Sequence, residues 1–152
     1  MKPTALVILL VFSASTSYAQ CKVRSDKVDE FTGKRTILLK EDRMGNSIVF
    51  IYKSDSSYYV TFWAGEIGCA VTGKSKVLLK MADDSIIELP HVGKLNCKTS
   101  PLITINVSLY FDELTTLEVT KIRFQGSRGT SDVDVNKNPD LIQNGLLCLA
   151  KM

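Results

Sequence analysis

The sequence has little of what most catalytic and metal sites need. It contains one histidine, His91, and four cysteines in 152 residues, and no two cysteines have the close spacing of a zinc site. Any Ser-His-Asp or Cys-His mechanism would have to use His91, and no G-x-S-x-G motif accompanies it. Because His91 follows Pro90 in a predicted loop, we expect a solvated histidine there. These residues predict no metal, no cofactor and no identifiable catalytic residue.

Charge of one sign is also scarce. The chain carries 19 basic and 16 acidic side chains, a net charge of +3, and the charges are scattered along it. A nucleic-acid binder usually concentrates basic residues on one face, and an interaction tail concentrates acidic ones. We therefore expect no nucleic-acid partner.

Long apolar runs are lacking outside the N-terminus. There, Lys2 precedes an apolar run over residues 5–12, and a small polar stretch follows over residues 13–17. This order is typical of a cleavable secretory signal, and the run is too short to span a bilayer. Ser17 and Ala19 predict cleavage after residue 19. The sequence thus predicts a signal peptide over 1–19 and a periplasmic or secreted product.

Cys21 follows that cleavage site closely, so a lipid anchor is an alternative. A bacterial lipoprotein signal has a small residue directly before the cysteine, whereas Gln20 stands here, and we expect a soluble product. Four cysteines in an exported chain favour two disulfides, for which three pairings exist. We favour Cys69 with Cys97, and Cys21 with Cys148.

Residues 20–152 contain no linker or repeat and predict one domain. Runs rich in β-branched and aromatic residues alternate with turn signals. Strands are predicted over 35–40, 47–53, 58–64, 76–81, 85–89, 102–111, 118–124 and 132–135. One helical turn is predicted over 112–117, and a helix capped by Asn138 over 139–151. This pattern indicates an α+β fold of predominantly antiparallel β structure, either a two-layer sheet or a sandwich, with the C-terminal helix packed on the sheet.

Two segments match motifs whose chemistry the context does not support. Residues 68–75 fit the phosphate-binding pattern G-x-x-x-x-G-K-[ST], but such a loop must open a helix, and here a predicted hairpin strand follows. Residues 132–143 begin like a calcium loop. Lys137 stands where glycine is required, and Gln143 replaces the bidentate acid at the twelfth position. We interpret residues 132–135 as an ordinary strand.

Aromatic residues offer the best lead to a function. On the predicted strand 58–64, alternation places Tyr59, Thr61 and Trp63 on one face and residues 58, 60 and 62 on the other. If the second face is core, the first could present a Tyr/Trp platform to a sugar ring or a partner. In a two-layer fold, either face could instead be buried.

The signal ending Tyr18-Ala19-Gln20, the hairpin over 76–89 and the segments 110–117 and 119–124 resemble small uncharacterised exported proteins of Bacteroidetes-type bacteria. That resemblance implies an envelope or secreted location and transfers no catalytic residue.

By elimination of site signatures, we expect a non-enzymatic extracytoplasmic binding or interaction module with an unknown protein or carbohydrate partner. Two alternatives stay open. One is an envelope hydrolase acting on glycan or peptide, and the other is a secreted inhibitor that uses the loop 127–129, with Arg128, as bait.

Overall fold

Two antiparallel sheets and two short helices make up the part of the chain described by the structure, a computed structural model covering residues 21–152. The predicted signal peptide and Gln20 lie outside the described residues. The first sheet contains β1 (Val23–Val28), β2 (Arg35–Leu39), β3 (Asp42–Met44), β4 (Ser47–Ser54), β5 (Ser57–Trp63) and β8 (Leu102–Asn106). The second contains β6 (Lys76–Met81), β7 (Ile86–Pro90), β9 (Val119–Gln125) and β10 (Thr130–Asp134). The helices are α1 (Phe111–Thr116) and α2 (Leu141–Ala150).

The predicted α+β class is confirmed. In the six-stranded sheet the order is β1-β2-β4-β5-β8, with β3 paired to β4, and in the four-stranded sheet it is β10-β9-β6-β7. The β6–β7 hairpin turns at Asp84, which adopts a positive φ of 67°. Asp83 supports this turn by accepting a hydrogen bond from the Ser85 backbone N–H. Aspartate tolerates that conformation and bonds its own turn, which is why the sequence signal here was reliable.

The core lies between the sheets and under α2. Phe62 from the first sheet meets Phe124 from the second, with ring centroids 5.3 Å apart. Helix α2 packs on β4, where a Cβ on Gly145 would lie 2.4 Å from the Ile51 Cδ1. A larger residue at position 145 would therefore require the Ile51 side chain to shift. The predicted C-terminal helix packs on the sheet as expected.

Two disulfides connect the described residues. Cys21 pairs with Cys148 of α2, and Cys69 pairs with Cys97, which is the pairing that we favoured from the sequence. The first joins positions 127 residues apart and fastens the start of the described chain to α2.

Some boundaries differ from the predictions. The strand predicted over 102–111 is wrong beyond residue 106, because β8 ends at Asn106 and a 3-10 turn over Ser108–Tyr110 leads into α1. The Asn106 Oδ1 accepts a hydrogen bond from the Ser108 N–H and so turns the chain out of the sheet.

The cap predicted for α2 is also wrong. Asp140 occupies the N-cap position, while the Asn138 Nδ2 donates to the Arg43 carbonyl oxygen. The asparagine therefore holds the β3–β4 region instead of the helix end. Among residues 21–152, no helix combines the length and apolarity that a membrane crossing requires.

Candidate binding face

The face of the six-stranded sheet that points away from the four-stranded sheet is called here the outer face. Strand register and alternation define it. Its strand residues are Ser25, Lys27, Thr36, Leu38, Arg43, Ile48, Phe50, Tyr52, Ser54, Ser57, Tyr59, Thr61, Trp63, Leu102, Thr104 and Asn106. The faces of β5 are thus divided as predicted, since Val60 and Phe62 on the opposite side are fully buried.

The outer face combines aromatic rings, aliphatic side chains and hydroxyl groups. None of its outward-pointing strand residues is acidic, and its only charged side chains are Lys27 and Arg43. Neither forms an ion pair with a described residue. The face is therefore uncharged in its centre and weakly basic at two points.

Two tyrosines from neighbouring strands stack at one end of the face. The rings of Tyr52 and Tyr59 have centroids 5.0 Å apart and planes inclined by 13°. Burial raises the pKa of the Tyr52 phenol. A hydrogen bond with Thr61 acts in the opposite direction and partly offsets this increase. Thr61 in turn lies 2.8 Å, oxygen to oxygen, from the Thr104 hydroxyl on β8. The tyrosine pair and these hydroxyls form one connected group across three strands.

Trp63 lies on the outer face at the C-terminal end of β5 and keeps 46% of its surface exposed. It pairs with Leu102 of β8, and its backbone carbonyl accepts a hydrogen bond from the buried Ser47 hydroxyl, 2.7 Å away. The backbone is thereby fixed while the indole stays open to solvent. Trp63 and Tyr59 are four residues apart on one strand, a separation of about 13 Å.

The outward side of the four-stranded sheet has a different character. It carries ion pairs between Lys76 and Glu88, and between Asp132 and both Lys121 and Arg123. The guanidinium of Arg123 holds the pKa of the Asp132 carboxyl well below its usual range. Mixed charges of this kind are typical of a solvated sheet face. The contrast makes the outer face of the six-stranded sheet the unusual surface of the molecule.

The expectation that His91 is solvated is wrong. The side chain is buried, with 1% of its surface exposed. The Thr104 N–H donates to its Nδ1 at 2.9 Å, and its Nε2 lies 3.1 Å from the Lys94 carbonyl oxygen. A neutral ring with its hydrogen on Nε2 satisfies both contacts. His91 therefore holds the edge of β8 and presents no free nitrogen to a substrate.

The segments that match the phosphate-loop and calcium-loop patterns occupy ordinary structural positions. The segment 68–75 leads into β6 of an antiparallel sheet and opens no helix. Its Ser75 is buried, accepting a hydrogen bond from the Val71 N–H and donating one to the Cys69 carbonyl. In the other segment, Asp132 to Asp134 lie in β10, which agrees with the interpretation of this segment as a strand. Within residues 21–152, no group of three or more His, Cys, Asp or Glu residues could hold a metal ion.

Arg128 lies in the tight turn between β9 and β10, away from the strands that form the outer face. The turn closes with a hydrogen bond from the Gly126 N–H to the Gly129 carbonyl. The Arg128 N–H donates to Ile67, and the Ser127 N–H to Cys69, so the turn is fixed beside the Cys69 disulfide. The structure thus joins Tyr59 and Trp63 in one surface and places Arg128 in another element.

A cleft of about 400 Å³ lies between α2 and the edge of the first sheet. Its wall includes Leu39, Ile51 and Cys148, and its rim carries Glu41 and Asp42. The Glu41 carboxylate already pairs with Arg24 at 2.8 Å, and its pKa is lowered, first by its own backbone N–H. The Asp42 carboxylate accepts the Arg43 N–H. Glu41 is therefore not the raised-pKa carboxyl that a general acid requires.

The sequence reasoning missed the aromatic contribution of β4. Phe50 and Tyr52 share the outer face with Tyr59, while Val49 and Ile51 face the core. A strand that is apolar on both faces was the available signal, because one face of a strand in a two-layer fold normally faces water. No family model, curated protein or solved structure matches this chain.

Proposed function

We propose that this chain is an exported, non-enzymatic binding module whose ligand contacts the outer face of the six-stranded sheet. The observation that carries the proposal is the composition of that face. It presents Trp63, the Tyr52–Tyr59 stack and neighbouring aliphatic side chains without a carboxylate among them. Trp63 is exposed and the tyrosines are half-buried, and an apolar surface that stays partly exposed on a small domain commonly marks an interaction site.

Trp63 supports the proposal by its exposure. A tryptophan offers a large apolar area, and burying that area is the main stabilising contribution of a binding hot spot. Here the indole stays nearly half exposed although the strand beneath it is buried. The stacked tyrosines are held by each other, so their ordering costs little side-chain entropy on binding.

The alternative hypothesis, an envelope hydrolase, has less support from the described residues. His91 has its two ring nitrogens engaged by backbone groups, and the carboxylates at the rim of the α2 cleft are engaged as well. Enzymes usually concentrate their reactive groups in a concave pocket with perturbed pKa values. The strongest aromatic surface instead lies on an open sheet face.

Export is supported by two features. The two disulfides fit an oxidising compartment, and the sequence begins with the predicted signal peptide. A periplasmic or secreted location remains part of the proposal.

A comparison of two single variants tests the binding face. Trp63→Ala removes the exposed ring of the outer face, and Ile86→Ala removes an exposed aliphatic side chain, 63% accessible, from the opposite sheet. Both proteins and the wild type are applied to arrays of immobilised peptides and oligosaccharides. We expect every specific signal to fall at least tenfold in Trp63→Ala and to stay within twofold in Ile86→Ala. Binding that survives in Trp63→Ala would refute the proposed site.

A further inference from the structure

We infer that the ligand of the outer face is an oligosaccharide that carries no positive charge. The inference rests on the proposed function and names the class of its ligand. It is carried by the arrangement of rings and hydroxyls along β5, and by the sign of the charges beside them.

On the outer face, aromatic rings and hydroxyl groups alternate along β5. This arrangement suits a sugar chain, which offers both apolar C–H groups and hydroxyls. Along β5 the outward residues run Ser57, Tyr59, Thr61, Trp63, with hydroxyl or ring at every position. The C–H groups of a sugar ring form a weakly positive, apolar patch that fits the negative face of an aromatic ring. The sugar hydroxyls need hydrogen-bonding partners between those rings. The Thr61–Thr104 hydroxyl pair lies between the two aromatic ends, and because Thr61 is buried, the half-buried Thr104 is the member of the pair that a ligand can reach.

The charges of the face select against cationic ligands. Lys27 lies on β1 and Arg43 on β3, and no acidic side chain shares the outer face with them, because Asp26 of β1 and Asp42 of β3 alternate to the opposite face. A cationic partner would meet repulsion with no carboxylate to bind it, whereas a neutral or acidic chain would not. Neutral and acidic oligosaccharides share the stacking and hydrogen-bonding chemistry and differ only in their use of these two cations.

The same charges argue against a second copy of this chain as the occupant. A two-fold dimer places the same patch on both subunits, so each outer face would meet another outer face. Lys27 and Arg43 would then enter the interface opposite a surface with no acidic strand residue to pair with. The interspersed hydroxyls would also remain within a contact whose centre is normally more apolar.

Titration calorimetry with a neutral and a cationic oligosaccharide of the same backbone, and with an acidic oligosaccharide, tests this inference. The neutral probe is the hexamer of N-acetylglucosamine, the cationic probe is the deacetylated hexamer of the same backbone, and the acidic probe is a galacturonic acid hexamer. Trp63 is the only tryptophan of the chain, so its fluorescence reports contact with the face in the same samples. A wider array of neutral and acidic oligosaccharides covers other linkages.

We expect at least one neutral or acidic oligosaccharide to bind with a change in Trp63 emission. Its affinity should fall at least tenfold in Trp63→Ala, stay within twofold in Ile86→Ala, and exceed that of the cationic hexamer at least tenfold. The double variant Thr61→Val and Thr104→Val should weaken binding several-fold. It keeps the shape of the face, because replacing both partners of a hydrogen bond by apolar groups of the same shape is nearly neutral for folding.

The two proposals fail in different ways. If no neutral or acidic oligosaccharide binds, while uncharged peptides bind and lose affinity in Trp63→Ala, the sugar inference is overturned and the binding face stands. Tighter binding of the cationic hexamer would also overturn the inference. Oligosaccharide binding that Trp63→Ala leaves unchanged would overturn both.

Discussion

Replacing His91 by phenylalanine tests the role that the structure gives to its buried ring. Phenylalanine keeps a flat ring of somewhat larger volume, so the substitution removes the hydrogen bonds of the imidazole and adds some crowding in the buried site. The two groups with the shortest contacts are the Thr104 N–H, 2.9 Å from Nδ1, and the Lys94 carbonyl, 3.1 Å from Nε2, and the Gly93 N–H also approaches Nδ1, at 3.4 Å. The Thr104 N–H lies on the side of β8 away from β5 and depends on this ring.

The expected loss of stability follows from these two contacts. A buried donor left without a partner costs about 1 to 3 kcal/mol, and loss of an ordinary hydrogen bond costs about 1 kcal/mol more. We therefore expect His91→Phe to lower the free energy of unfolding by about 2 to 4 kcal/mol. Val92→Ala serves as the control, because Val92 is adjacent and 44% exposed, and it should change stability by about 0.5 kcal/mol.

Urea unfolding followed by circular dichroism measures both variants, with an unchanged m-value required for the comparison. Amide hydrogen exchange adds a local readout, since the Thr104 amide should lose protection in His91→Phe while the β5 amides keep theirs. If the free energy of unfolding of His91→Phe lies within 1 kcal/mol of the wild-type value and the Thr104 amide stays protected, His91 does not hold the edge of β8 as the structure indicates.

Two further changes test the packing and the charges. Gly126→Ala would put a Cβ 2.3 Å from the Ile67 carbonyl oxygen and should cost about 1 to 3 kcal/mol in urea unfolding, whereas Gly129→Ala in the same turn meets no atom within 4 Å and should stay within about 0.5 kcal/mol; equal effects would contradict the packing. The pKa of Asp132 is lowered in the folded protein by Arg123, so its contribution is present above the unfolded pKa of about 3.9 and is lost as pH falls through the folded value. Because the pair is partly exposed, Asp132→Asn should cost about 1 kcal/mol or less at pH 7, and its unfolding curve should approach that of the wild type below about pH 4; a gap that widens on acidification would contradict the pairing.

Strand β5 shows which part of the fold and site could be read from the sequence. Its alternation placed Val60 and Phe62 on one face and Tyr59 and Trp63 on the other, and the structure buries Val60 and Phe62 while Trp63 stays exposed. This inference is local, because side chains of a strand alternate with a fixed period whatever surrounds it. Which face would remain open depended on the second sheet, and no local pattern contains that information.

His91 and β1 show what the sequence could not supply. A histidine after a proline has the same local pattern whether it is solvated or holds the edge of a strand that comes 13 residues later. Strand β1 is almost entirely exposed, so it lacks the apolar periodicity by which strands are recognised. Both features are created by contacts between segments that are distant in sequence.

The sequence separation of the paired cysteines determines when each disulfide can first form. Cys97 follows Cys69 by 28 residues, whereas Cys148 follows Cys21 by 127. In a chain that is exported while it is synthesised, at about 5 to 20 residues per second, Cys148 reaches the oxidising compartment roughly 6 to 25 seconds after Cys21. During that interval Cys21 meets two other cysteines before its own partner exists. The native pattern therefore depends either on Cys69 and Cys97 closing first or on thiol exchange that later releases Cys21 to reach α2.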